Sequence, residues 1–354
     1  MRSILTVLML GTFLSLTAQN PFSLRGPQAV LPLESDADLY IQEYQGVTVD
    51  LDDLRNLLRL APAEDFSNRS QIRLNVQLPT PEGDLVDFEL VESSVFHPDL
   101  QAQHPDIRSY RIFGEYGNGR LAVSPEGIAA VLIGESGKYF ITRAADGNTV
   151  DHLAYYVRDM DLNLALGTDQ LSCGVSPEME EEAETHAGGH ETHTPGSARS
   201  SAGVLGMRVY NMALTCTGEF GFSKGGTIAG VNAAFNEAMS IMNAIYENEV
   251  GMRFLLIANN DALIFLDPND QPFVNSDNGA ALLGEAGPVI AAQGIALADY
   301  DIGHVFATSC GTGGIANLGS ACTNGKARGV TCHFSSNVAA ITNSIMTHEV
   351  GHQF

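Results

Sequence analysis

Near the end of the 354-residue chain, His348, Glu349 and His352 stand as His-Glu-x-x-His within an apolar run. On a helix of 3.6 residues per turn, side chains four apart lie one above the other. The two imidazoles can therefore share a zinc ion while the carboxylate stays beside them. A catalytic zinc keeps three protein ligands and an open position for water, so a third ligand is still needed. The chemistry open to this trio is metal-assisted hydrolysis, with Glu349 as the catalytic proton acceptor and His348 and His352 as metal ligands. A buried helix with two incidental histidines is the competing reading, and the context argues against it. Ile341, Ile345 and Met346 build an apolar stripe before the motif, and Ser335, Ser336 and Asn337 offer N-caps.

The elements around the motif alternate. Strands are expected at 204–214, 252–258, 302–307, 315–322 and 327–331. Helices are expected at 227–250, where Ile228, Val231, Phe235, Met242 and Ile245 share one side, at 280–298, and through the motif itself. Gly284, Gly287, Pro288 and Gly294 weaken the second helix. Such alternation argues for α/β architecture, a mixed sheet covered by helices. Residues 71–161 read instead as short strands between Gly, Pro, Asn and Asp, a small β-rich unit, with one short helix at 51–60. His97, His104 and His152 are scattered there, and each reads as a surface or turn residue.

Between the two parts, residues 174–201 are dense in Glu, His, Gly, Ser and Thr and cannot bury a core. His190-Glu191-Thr192-His193 echoes the zinc motif with its spacing one residue short; with His186, these side chains read as solvated linker. Arg199 before Ser200 suits a trypsin-like cut. At the other end, residues 1–18 read as a secretory signal: Arg2, an apolar stretch, then Leu16-Thr17-Ala18 before Gln19. That stretch is shorter than the roughly 20 apolar residues a membrane span needs. A soluble, exported protein is expected.

Net charge is −24, with 13 basic against 30 acidic side chains in residues 1–200 and 5 against 12 in residues 201–354. A surface so acidic repels phosphate backbones, which argues against nucleic-acid binding. Five cysteines in an exported chain suggest two disulfides and one cysteine with another task. Cys173 stands alone in the first half; Cys216, Cys310, Cys322 and Cys332 allow three pairings.

From residue 205 onward the chain resembles the reprolysin-like (adamalysin-type) metzincin zinc endopeptidases in their bacterial secreted form. The likeness rests on separated pieces: Thr215-Cys216-Thr217-Gly218-Glu219, Leu256-Ile257-Ala258-Asn259-Asn260, Tyr300-Asp301-Ile302-Gly303-His304-Val305-Phe306, Gly313-Gly314-Ile315-Ala316 to Leu318-Gly319, Lys326-Ala327-Arg328-Gly329-Val330, and Thr347-His348-Glu349-Val350-Gly351-His352-Gln353-Phe354. It implies a metzincin-like zincin catalytic domain over residues 202–354, incomplete at its far end. A β-rich propeptide at 19–173 and the linker at 174–201, cut by an activating protease, would precede it.

The resemblance also implies one catalytic zinc and a protein or peptide substrate. In that family the motif continues as x-x-Gly-x-x-His, which places the third ligand and a Met-turn beyond Phe354. The run Gly314, Ile315, Ala316, Asn317, Leu318 and Gly319 corresponds to the edge strand that pairs with an extended peptide. Leu171-Ser172-Cys173-Gly174-Val175 is similar to the Cys-Gly-Val whose thiolate keeps such precursors latent at the metal. For the disulfides, the resemblance favours Cys216 with Cys322, leaving Cys310 with Cys332. His304 and His333 are not expected as ligands. The competing function is a non-catalytic exported peptide-binding module, or a pseudo-enzyme, that keeps the sheet edge without a complete zinc site.

Overall fold

The computed structural model describes residues 20–27, 41–161 except 66, 69, 70 and 146, and 207–354 except 333–337. The expected signal, Cys173, the linker, His333 and the proposed caps Ser335, Ser336 and Asn337 lie outside the described residues.

The first unit is a nine-stranded antiparallel sheet. Its strands are β1 (Phe22–Pro27), β2 (Gln45–Val49), β3 (Leu74–Pro79), β4 (Leu85–Glu92), β5 (Arg108–Phe113), β6 (Asn118–Ser124), β7 (Gly127–Gly134), β8 (Gly137–Arg143) and β9 (Asp151–Tyr156), in the order β1-β2-β9-β8-β7-β6-β5-β4-β3. It curls until its edges approach: Asn20 Nδ2, at the start of β1, donates to Gln77 Oε1 of β3 at 2.9 Å. Helix α1 (Leu51–Leu58), begun by Asp50 accepting from the Asp53 N–H, sends Leu54 and Leu58 into the interior beside Val76, Leu90 and Tyr110. Helix α2 (Pro98–Gln103) begins on His97, whose Nδ1 accepts from the Asp99 N–H at 3.2 Å.

One histidine departs from the expected surface or turn setting, and another, at the turn closing α2, gains a partner. His152 lies in β9 between two other strands and is fully buried. His104 is held by Asp261 of the second unit, Nε2 to Oδ2 at 2.7 Å. The β-rich unit also begins earlier than residue 71, because β1 and β2 join its far edge.

The second unit is a five-stranded sheet of β10 (Arg208–Cys216), β11 (Met252–Leu256), β12 (Ile302–Ala307), β13 (Gly314–Ala316) and β14 (Gly329–Cys332). The order is β11-β10-β12-β14-β13, parallel except for β13. Helix α3 (Gly218–Ser223) follows β10, then α4 (Ile228–Glu249) runs back, started by Thr227 accepting from the Gly230 N–H at 3.0 Å. Helix α5 (Gly279–Ala292) forms across Pro288, capped by Asn278. It stops short of residue 298 because Gly294 turns at φ 80. Among the described residues no helix is long and apolar enough to cross a membrane.

The layers follow from which faces are apolar. Helix α5 covers one face of the second sheet, with Leu282, Leu283 and Ile290 against Val305, Ile315 and Val330. The other face meets α4, and residues 231–245 of that helix are buried without a break. A surface helix shows a polar side; one buried all round is covered on both sides. Here the second cover is the curled sheet. Ile241, Ala244 and Ile245 pack with Val131, Phe140, Leu153 and Tyr155, while Val231, Phe235 and Met242 pack with Phe254 and Phe306.

The two units are also joined through backbone and charge. Residues 95–97 lie parallel to β11: the Leu256 N–H donates to Val95 O and the His97 N–H to Leu256 O, both at 2.8 Å. Glu64, Arg111 and Arg120 meet Glu247 and Arg253 in one network. Arg120 bonds Glu247 at 2.6 Å, Arg253 bonds Glu64 at 2.7 Å and Glu247 at 2.5 Å, and Arg111 reaches both carboxylates at 2.5 and 3.1 Å. Burial alone would raise the Glu64 carboxyl, but its bonds to Arg253 and Arg111 outweigh that and hold it at about 2.

Candidate metal centre

Helix α6 (Val338–Ile341), a π turn (Thr342–Met346) and α7 (Thr347–Gln353) form one helical run that carries the motif. Met346 and Val350 anchor it in the core beside α4 and the second sheet. The anchored side turns the two imidazoles outward together. His348 Nε2 and His352 Nε2 lie 2.9 Å apart, with ring centroids at 4.4 Å and planes at 84°. Two nitrogens on a tetrahedral zinc, each about 2.0 Å away, sit roughly 3.3 Å apart, so a small side-chain rotation fits this pair to the ion. Among the described residues no group of three or more His, Cys, Asp or Glu side chains is placed to hold a metal.

Glu349 sits differently from its neighbours. It is 1% exposed, against the exposed His348 and half-buried His352. Its side chain fills the space a Cβ would take at Gly314: a methyl group there would meet Glu349 Cγ at 2.5 Å and Oε1 at 2.8 Å. The glycine thus brings the backbone of β13 directly against the carboxylate.

Strand β13 is the sheet's outer strand, paired antiparallel to β14 only through Gly314, Ile315 and Ala316. This is shorter than the expected 315–322. Asn317 still donates to Arg328 O at 2.9 Å; then Gly319 turns at φ 60 and the chain leaves the sheet. Its next amides serve the helix end: the Gly319 N–H bonds His352 O at 2.9 Å and the Ala321 N–H bonds Gln353 O at 2.7 Å. The strand expected at 327–331 is β14, shifted to Gly329–Cys332.

A second polar contact fixes the same helix end. Gln353 is fully buried; its Nε2 donates to Gly303 O at 3.1 Å and to Lys326 O at 3.3 Å. Its Oε1 can only accept, so His304 Nδ1 carries the proton at 3.1 Å, and His304 Nε2 accepts from the Thr331 hydroxyl at 2.8 Å. Gly329 leaves the slot open, since a Cβ there would stand 2.2 Å from Gln353 Oε1. This clamp was not apparent from the sequence, although a histidine inside the apolar strand 302–307 was its one visible sign.

Burial holds the His304 imidazole down at about 4, against an ordinary 6.5, with the Gln353 bond offsetting only part. Folding therefore favours the neutral ring. The associated stability is complete above pH 6.5 and is lost as pH falls toward 4. A shift of this size corresponds to about 3 kcal/mol, and His152, also held at about 4 by burial, acts over the same window. Denaturant midpoints should therefore drop steeply between about pH 6.5 and 4. A flat profile would show that neither ring is stabilised in its neutral form.

Of the two disulfides, one forms: Cys310 and Cys332 are joined with Cα atoms 6.0 Å apart. The pairing of Cys216 with Cys322 does not form, and among the described residues neither has a disulfide partner. Cys216 lies opposite Phe306 near one end of β12, whereas the Cys322 N–H bonds Asp301 O just before its other end. Five residues of strand separate them by roughly 16 Å, beyond any disulfide's reach. Burial pushes the Cys216 thiol up to about 12.

Residues 232–354 match the family described as metallo-peptidase family M12B, reprolysin-like. Among solved structures, metalloproteinase-II from Bacteroides fragilis is similar at a TM-score of 0.43 and 10% identity, covering 86% of this chain and 85% of that chain. No curated protein matches the chain. The matched segment holds most of α4, the mixed sheet beyond β10, the outer strand and the His-Glu-x-x-His helix, so this part of the chain is similar to reprolysin-like metallopeptidases.

Proposed function

We propose that this protein is the precursor of a secreted zinc endopeptidase. The observation that carries the reading is the convergence of two imidazole nitrogens beside a carboxylate packed under the outer strand. His348 and His352, neutral, would hold the ion. Zinc, when bound there, polarises a peptide carbonyl and lowers the pKa of water. Glu349 takes the proton from the attacking water and returns it to the leaving amine. The side of β13 that pairs with no strand among the described residues, and the residues after it, Gly314 to Gly319, hold an extended peptide by adding it to the sheet. The clamp of Gln353 on His304 keeps the helix end in register with that strand.

Chelation followed by metal return tests the reading. The purified full-length protein should contain one zinc, lose peptide hydrolysis when stripped, and regain it with added zinc. Hydrolysis that continues in the metal-free protein would sink the proposal. In the same reading, residues 1–18 direct export, residues 19–173 act as a propeptide, and an activating protease cuts within 174–201. Cys173 would then occupy the metal's open position as a thiolate. Cys173→Ala should raise the activity of the uncut precursor at least about tenfold, taking one ligand bond as no less than about 1.4 kcal/mol. Unchanged latency would give Cys173 another role.

A further inference from the structure

We infer that the curled sheet is a lasting partner of the carboxy-terminal half. When the chain between residues 161 and 207 is cut, the two pieces stay together as a non-covalent complex, so cleavage alone does not release the half bearing the metal helix. The inference concerns association and does not rest on the peptidase reading.

Helix α4 belongs to the carboxy-terminal half, yet it has no outward face. Separation would open the apolar cluster that holds Ile241, Ala244 and Ile245 of α4 and Ile341 and Ile345 of the metal helix together with residues of the curled sheet. On the other piece it would uncover Phe140, Leu153 and Tyr155 from the same cluster, and Val95, Phe96 and Leu100, which enter the second sheet's own core. Contiguous apolar surface of this kind, shared as one core, is the mark of a permanent interface rather than a transient one.

The polar contacts fix register. Residues 95–97 give β11 a neighbouring strand; Asn236 Nδ2 donates to Arg108 O at 3.0 Å, and Lys138 Nζ donates to Asn343 Oδ1 at 2.7 Å. The charge network adds specificity more than affinity, because separated guanidinium and carboxylate groups would be rehydrated. The apolar contact is therefore the term that decides. Asn343 and Ile345 lie in the π turn just before His348, so the partner also touches the helical run that carries the metal ligands.

The experiment introduces a site for a sequence-specific protease at residues 187–196 of the full-length protein and cuts the folded molecule until a denaturing gel shows two pieces. Native gel filtration should return both in one peak, in low and in molar salt alike. Two separate peaks would overturn the inference. The Ile245→Ala variant, a mild change on a helix, should dissociate at least about tenfold more readily after the cut, as expected for a buried large-to-small substitution. Dissociation no easier than in the parent would remove the apolar contact as the cause.

Discussion

A Glu349→Gln variant of the full-length protein is expected to keep its zinc and lose peptide hydrolysis by roughly two to four orders of magnitude. The amide has almost the shape of the carboxylate, so packing against Gly314 and the buried position are retained. What it lacks is the ability to take a proton. If Glu349 served only to fill the space beneath β13, the glutamine would fill it as well and turnover would persist. Metal content, unfolding midpoint and kcat measured on the same preparation separate these cases. Near-parental kcat in a zinc-loaded, folded variant excludes Glu349 as the base.

Glu247→Ala is expected to cost roughly 3–5 kcal/mol of stability, the range found when one partner of a buried ion pair is removed. Arg111 and Arg253 would keep Glu64 as a carboxylate partner, whereas Arg120 is paired in the network through Glu247. Arg120 is the most affected, being fully buried with its bond to Glu247 at 2.6 Å. Burial already lowers its guanidinium to about 10, and Glu247 works in the opposite direction. Arg73 with Glu89 is the internal control: that pair is 28% and 53% exposed, and breaking it should cost under about 1 kcal/mol. Urea unfolding of the parent and both single variants, Glu247→Ala and Arg73→Ala, makes the comparison. Equal, small losses from both would show that the network is hydrated and carries little of the joint between the units.

How much of this was legible in the chain differs from residue to residue. Helix α4 was readable because its apolar spacing is long, and β12 because Ile302–Ala307 is a short apolar run between polar residues. The motif helix was readable from five letters. The joint between the units was not, since Arg120 and Glu247 carry no pattern that points to a residue so distant in the sequence. The shortness of β13 was hidden for a related reason: its continuation leaves the sheet to bond the carbonyls of His352 and Gln353. The free state of Cys216 and Cys322 depends on which ends of a strand they reach, and spacing along the chain does not encode that. His152 was misread because one histidine in a strand looks the same whether the strand is central or at an edge.

Positions 314 and 349 are far apart in the chain yet compete for one volume. A Cβ at 314 would meet Glu349 Cγ at 2.5 Å and Ile345 Cγ2 at 2.8 Å, so both side chains must shift to admit one. Glutamate packed in this way therefore calls for glycine on the strand. Shortening the acid alone does not free the glycine, because Ile345 borders the same space.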